Sequence, residues 1–294
     1  MRRNLATLDR DIHQYNRILQ EAMAHGIEND MIYGGLEPGQ LAVQALSAVS
    51  LTKNCAIGSR RVTIDGDVYR YGKGHALGVS PYDMHPGYGC FHGNRFKAVS
   101  GGVVSPASSG DMTLDILLDS ESGAAEWFGT LNQMRGGLIS GPSGGQPFQI
   151  RRIASHPAKA DGQVVVITLR EPLTRDVVAT QQIELLQNPY GHMYVPMSNY
   201  HGCVGVPFTD IAALYHGWVL TWGLTWLTPG EAGIGSGLLD RTVCFMGNGA
   251  ITQANTVDWG SSAGKSHQIA GFIVDYTASG DWDNPPMIMV QICP

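Results

Sequence analysis

The hydrophobic pattern of the chain changes period once. Leu5, Leu8, Ile12, Tyr15, Leu19 and Ala22 follow alternating steps of three and four, which places them on one stripe of a helix. His25 falls in the last predicted turn and Gly26 ends it. At about two and a half heptads the stripe is short for a coiled coil. Leu5, Leu8, Ile12, Tyr15 and Leu19 are candidate interface residues with two docking places open to them: the chain's own β domain, or a neighbouring subunit.

Past that segment the period becomes two. The sharpest signal is "RRVTIDGDVYRYGKG" (60–74), where β-branched and aromatic runs flank Asp65-Gly66. That dipeptide tolerates the paired positive φ angles of a type I′ turn, so a tight hairpin is expected with Asp65 and Gly66 at its centre. "MTLDILL" (112–118), "QPFQIRRI" (146–153), "QVVVITL" (163–169), "QIELL" (182–186), "GWVLTWGLTWL" (217–227), "RTVCFM" (241–246), "HQIAGFIVDY" (267–276) and "PMIMVQI" (286–292) read as further strands. "SGAAEWFGTLNQM" (122–134) and "FTDIAALY" (208–215) read as short helices, and "GVSPYDMHPGYGCFHGNR" (78–95) as a long surface loop. Many strands with few helical crossovers predict a mainly β fold, an antiparallel barrel or sandwich preceded by an amphipathic helix. The expected division is an arm at 1–26 and a β-rich domain at 27–294, with a subdomain boundary near 135–147.

Composition narrows the function classes. Charged residues make up 15% of the 294 and glycine supplies 38, which excludes a disordered chain and fits frequent turns. So few charges also suit a surface largely covered by other protein. The formal net charge is −6 and no basic stripe is present, so no nucleic-acid partner is expected. Apolar runs are too short to span a bilayer as helices, and Asp9, Asp11 and His13 interrupt the place of a signal peptide's apolar core. Cys55, Cys90, Cys203, Cys244 and Cys293 are odd in number and lack CxxC spacing, as expected of reduced thiols in a protein made in a cytosol.

Motifs that carry chemistry lack their context. Ser143 sits at the nucleophile position of "GPSGG" (141–145), but a strand-like run follows where the elbow needs a helix, so a flexible loop is expected. "WGSSAGKS" (259–266) ends like a phosphate-binding loop with Lys265, yet Trp259 stands where the first glycine belongs. His85, Cys90 and His92, with His201 and Cys203, do not supply a spaced tetrahedral set, so no metal or other cofactor is expected. Asp65, Asp67 and Asp83 include no spaced acid/base pair. Trp218, Trp222 and Trp226 share one face if their segment is a strand, a row suited to core, to a subunit interface or to sugar stacking. Trp218 and Trp222 join the candidate interface residues.

The order of "VYRYGKG", "GQPFQIRRIASHPA" (145–158), "VVITLREPLT" (165–174), "NPYGHM" (188–193) and "GVPFTDIAALYHGWVLTWG" (205–223) resembles a group of tailed-bacteriophage virion structural proteins. The resemblance covers roughly residues 56–294 and implies a capsid decoration or cement protein located on the head. It further implies a major capsid protein as partner, copies of the chain itself as a homo-oligomer for which a trimer suits three-fold positions, and no catalytic residues. A host-glycan-binding adhesin using the 78–95 loop is the alternative expectation. A hydrolase built on Ser143 is a third.

Overall fold

The computed structural model describes residues 31–33, 44–75, 84–92, 101–118, 128–143, 146–160, 162–179, 182–195, 202–231, 234, 241–254, 268–275 and 285–293. The candidate stripe Leu5, Leu8, Ile12, Tyr15 and Leu19 lies outside them. The chain divides into two compact units, Met1–His92 with His192–Pro294, and Gly93–Gly191. Among the described residues the named strands pair antiparallel in both units, while the isolated bridges Gly74–Met193 and Pro229–Ile251 are parallel. The division falls outside the expected 135–147 region, which belongs to the second unit and carries one of its hairpins.

The first unit contributes β1 (Met31–Tyr33), β2 (Arg60–Val62), β3 (Val68–Lys73) and β4 (Cys90–His92). The second holds β5 (Gly101–Val103), β6 (Thr113–Leu118), β7 (Leu138–Ser143), β8 (Gln146–Ser155), β9 (Val164–Leu169) and β10 (Gln182–Leu186). The first unit resumes with β11 (Met193–Tyr194), β12 (Cys203–Pro207), β13 (His216–Trp226), β14 (Thr242–Phe245), β15 (Ile251–Gln253), β16 (Gln268–Asp275) and β17 (Met287–Gln291).

In the first unit the main strand order is β1-β2-β3-β13-β17-β16-β14-β15, with β4, β11 and β12 paired alongside to complete an 11-stranded sheet. Its core gathers Tyr69, Tyr71, Phe91, Trp218, Leu220, Phe245, Ile288 and Val290. Tyr71 lies opposite Trp218 in the β3–β13 register, with their rings edge to face at 5.1 Å. Buried Gln44 fixes the preceding segment to this pair. Its Oε1 accepts from the Tyr71 hydroxyl at 2.8 Å, its amide donates to the His216 carbonyl at 3.0 Å, and its own carbonyl accepts from Trp218 Nε1 at 3.0 Å. The chain leaves this unit after His92 and returns at His192, and His92 is the register partner of Met193.

The second unit is a closed barrel in the order β10-β5-β6-β9-β8-β7. Alternation selects its lining: Leu114, Ile116 and Leu118 of β6 and Val165, Ile167 and Leu169 of β9 point inward to Ile139, Ile153, Ile183 and Leu185. Phe128 and Met134 add to the same core. Buried His156 ties the segment before β7 to the end of β8. Its Nε2 accepts from the Met134 N–H at 2.9 Å, and its Nδ1–H donates to the Pro157 carbonyl at 2.7 Å.

Three local expectations are corrected, and a fourth lies partly outside the described residues. The hairpin exists, but its turn is not type I′. Gly66 N–H donates to Thr63 O at 3.0 Å and Thr63 N–H to Asp67 O at 2.9 Å, and Gly66 has φ 88° while Asp65 is not at positive φ. Ile64 and Asp65 therefore take the centre of a type I turn and Gly66 forms the bulge after it, an arrangement in which only one residue needs positive φ. "FTDIAALY" is not a helix, because Ile211 instead bridges Met84 through mutual backbone hydrogen bonds and Leu214 has φ 68°. Most of the helix expected in "SGAAEWFGTLNQM", residues 122–127, lies outside the described residues; Phe128 is helical and residues 129–134 form bends and turns, with Asn132 at φ 59°. The expected surface loop at 78–95 contains strand β4, and Met84, Cys90 and Phe91 are buried.

Candidate interaction surfaces

The long strand β13 changes which side of the sheet its even-numbered residues face. Leu220 is the partner of Tyr69 and Trp222 of Val68, so Thr221 is an extra residue in the ladder, a β-bulge. Thr221 is buried, with its hydroxyl 2.7 Å from the Cys293 carbonyl and 3.2 Å from that of Val68. These polar contacts stabilise the extra residue in place. Before the bulge Trp218 and Leu220 enter the core. After it Trp222, Leu224 and Trp226 face outward, while Gly223 and Thr225 pair with the core residues Val290 and Ile288. The expected single row of three tryptophans is thus corrected: Trp218 is fully buried and unavailable to a neighbour, whereas half-buried Trp222 and exposed Trp226 share a face.

That outward face runs over three adjacent strands. Leu224 lies beside Met289, and Met289 beside Phe272, forming one apolar row across β13, β17 and β16. Trp226 and Met287 begin the next row, followed by Asp275, with Val274 the extra residue at a second bulge. Leu224 is 53% exposed, Trp226 42% and Phe272 40%, and Val274 and Met287 are exposed as well. Asp67 marks one border. Its carboxylate accepts from the Leu224 N–H at 3.4 Å across Gly223, where φ is 136° and a Cβ would collide with it. Burial raises the Asp67 pKa above the ordinary carboxylate value, opposed by the Leu224 hydrogen bond.

The barrel unit has an apolar outward strip of its own. Gly102, Leu117 and Val164 form one row across β5, β6 and β9, and Asp115 with Val166 form the next. Leu117 is 45% exposed and Val166 44%, with Val104 and Val164 also exposed. Gly102 leaves open space above the backbone beside Leu117. Isolated exposed apolar side chains are ordinary, but contiguous rows on a sheet are the pattern of surfaces covered by protein.

The polar candidates are dispersed. The backbone of Ser143 ends β7 and pairs with Gln146 of β8, so a strand, not the helix an elbow needs, follows the serine, while Gly144 and Gly145 of "GPSGG" lie outside the described residues. Lys265 and His201 lie outside the described residues. His85 meets Asp210 at 2.9 Å in an exposed pair. Cys90 and Cys203 are both buried, with both thiols donating to the Gly205 carbonyl, and burial pushes each thiol pKa up. None of the five cysteines is in a disulfide. His75 and His192 meet edge to face at 5.7 Å, and burial, with His75 and Lys73 nearby, lowers His192 to about 4. Among the described residues no three His, Cys, Asp or Glu side chains are grouped to hold a metal ion.

The sequence missed Gln44, an isolated polar residue in a segment without clear period, and it missed the two apolar faces as surfaces. The second omission has a physical cause: alternation identifies the two faces of a strand, but an apolar residue on the outer face reads like one on the inner face. No protein-family model, curated protein or solved structure matches the chain.

Proposed function

We propose that the chain is a structural subunit of a virus particle, of the type that decorates or cements a bacteriophage head. The observation that carries this reading is the outward strip of the barrel unit, Leu117, Val164 and Val166 beside Gly102, which suits contact with another protein rather than a small ligand. The sequence resemblance adds support, because its elements meet as a strand pair in each unit. "VYRYGKG" pairs with "GWVLTWG" as β3 and β13, and "QPFQIRRIAS" with "VVITL" as β8 and β9. In this role the barrel strip contacts the major capsid protein or a second copy of the chain, the protein is made in the host cytoplasm, and no cofactor takes part.

The test is a count and a loss of binding. Quantitative mass spectrometry of purified particles should give hundreds of copies per particle. The double variant Leu117→Asp/Val166→Asp should fold with the parent's circular dichroism yet fail to co-sediment with particles. A few copies per particle, or a double variant that binds like the parent, would sink the proposal.

A further inference from the structure

One end of the first unit's sheet collects basic side chains from separate parts of the chain. Lys73, which ends β3, is the register partner of His216, which begins β13. Alternation puts Lys73 on the same side as Tyr71, and the Tyr71 ring stacks on that of His216 at 5.9 Å. Both basic groups therefore stand where the apolar core around Tyr71 and Trp218 stops. The next residues bring in two more imidazoles. Gly74 bridges Met193, and the His75 N–H donates to the Met193 carbonyl at 2.8 Å. His75 thereby meets His192 at 5.7 Å and Tyr194 at 5.8 Å. Lys53 completes the group, acting on both Lys73 and His216.

The group is electrostatically one-sided. Among the described residues, every charged side chain acting on Lys73, His192 or His216 is itself a base. Lys73, His75 and His192 are partly exposed and His216 is buried, so water screens their mutual repulsion incompletely. We propose that this end of the sheet binds a small oxyanion, a phosphate or carboxylate group, held by the Lys73 ammonium beside His192 and His216. The ammonium supplies a charge-assisted hydrogen bond. The anion in turn favours the charged form of each ring, which takes a proton from solvent. At His216 that proton adds at Nε2, because Nδ1–H already donates to the Ser50 carbonyl at 3.1 Å. Partial exposure of Lys73 and His192 gives a small ion its way in from water.

The site lies wholly in the first unit, so its outcome is independent of whether the barrel strip binds a particle. The test is an acid titration of the full chain in sodium chloride, sodium phosphate and sodium formate at equal ionic strength. Histidine ring Cε1–H signals are followed by NMR and assigned with His192→Gln and His216→Gln. In phosphate, in formate or in both, His192 and His216 should titrate about one unit higher than in chloride. His85, in its exposed pair with Asp210, should titrate alike in all three. A response to phosphate alone identifies a phosphate group as the ligand, and a response to formate alone a carboxylate. Lys73→Met should abolish the difference between salts, whereas Lys73→Arg should keep it. Equal titration of His192 and His216 in the three salts would overturn the proposal, whatever the variants do. So would a folded Lys73→Met protein that keeps the full difference.

Discussion

Trp218 and Trp222 lie four residues apart on one strand and face opposite sides of the sheet, because buried Thr221 is inserted between the partners of Tyr69 and Val68. The first packs against Tyr71 with no exposed surface, and the second opens the outward row. Truncating them should therefore differ in kind. Trp218→Ala should destabilise by about 3–5 kcal/mol, the range for a large buried aromatic, and it also removes the donor to Gln44. Trp222→Ala should lose clearly less, since part of that side chain is already in water. Urea denaturation monitored by far-UV circular dichroism compares the two, and equal losses would contradict the placement of the bulge.

The hairpin makes a narrower prediction. A Cβ on Gly66 would meet nothing within 4 Å, so any penalty there comes from φ 88° and not from collision. Gly66→Val should cost roughly 1–2 kcal/mol because a β-branched residue is strained at positive φ. Gly66→Asn should cost only a fraction of that, as asparagine tolerates the left-handed region. Thermal melts of the two variants beside the parent decide it, and two variants of equal stability would mean that φ is not the cause.

Gln44 yields the prediction least visible in the sequence. Its side chain joins Tyr71, Asn54, Ala48 and His216, so Gln44→Ala would remove four hydrogen bonds at once, although the His216 carbonyl keeps the Ser50 N–H and the Tyr71 hydroxyl keeps the Asn54 N–H. A loss of about 2–4 kcal/mol is expected, because four hydrogen bonds at a net contribution of roughly 0.5–1.5 kcal/mol each are lost together. Gln44→Met fills the volume without the polar atoms and should not restore stability. Denaturant titration of both variants measures this, and recovery by methionine would assign the residue a packing role instead.

The strands of the barrel and sheet were legible where alternation was long enough to register. "MTLDILL" became β6 over Thr113–Leu118, and "QVVVITL" became β9 over Val164–Leu169. Pairing order was not legible, since β3 meets β13 across a sequence gap that encloses the whole barrel unit. Short strands such as Cys90–His92 were missed because three residues cannot display a period. The tryptophan row failed for a related reason. A single inserted residue reverses the facing of every later side chain, and nothing in "GWVLTWGLTWL" marks Thr221 as that residue.

Acid should weaken the first unit through its histidines. Burial is the largest cause lowering both His192 and His216 to about 4. His75 and Lys73 reinforce the shift at His192. At His216, Lys73 and Lys53 add to it while hydrogen bonds to Ser50 and Leu51 oppose it. Both folded values lie below the ordinary value of 6.5, so the unfolded chain takes up protons that the folded one refuses. The stability owed to the neutral rings is complete above pH 6.5 and is lost as pH falls from there toward 4. His156 of the barrel unit shifts in the same direction, again mainly by burial. Melting temperature should be nearly flat from pH 8 to 7 and then decline through pH 5, ahead of most carboxylate protonation. His192→Gln removes one of these sites and should flatten that decline between pH 6.5 and 5, even if it lowers stability at every pH. A parent protein whose melting temperature does not change between pH 7.5 and 5 would rule out buried neutral histidines as the cause.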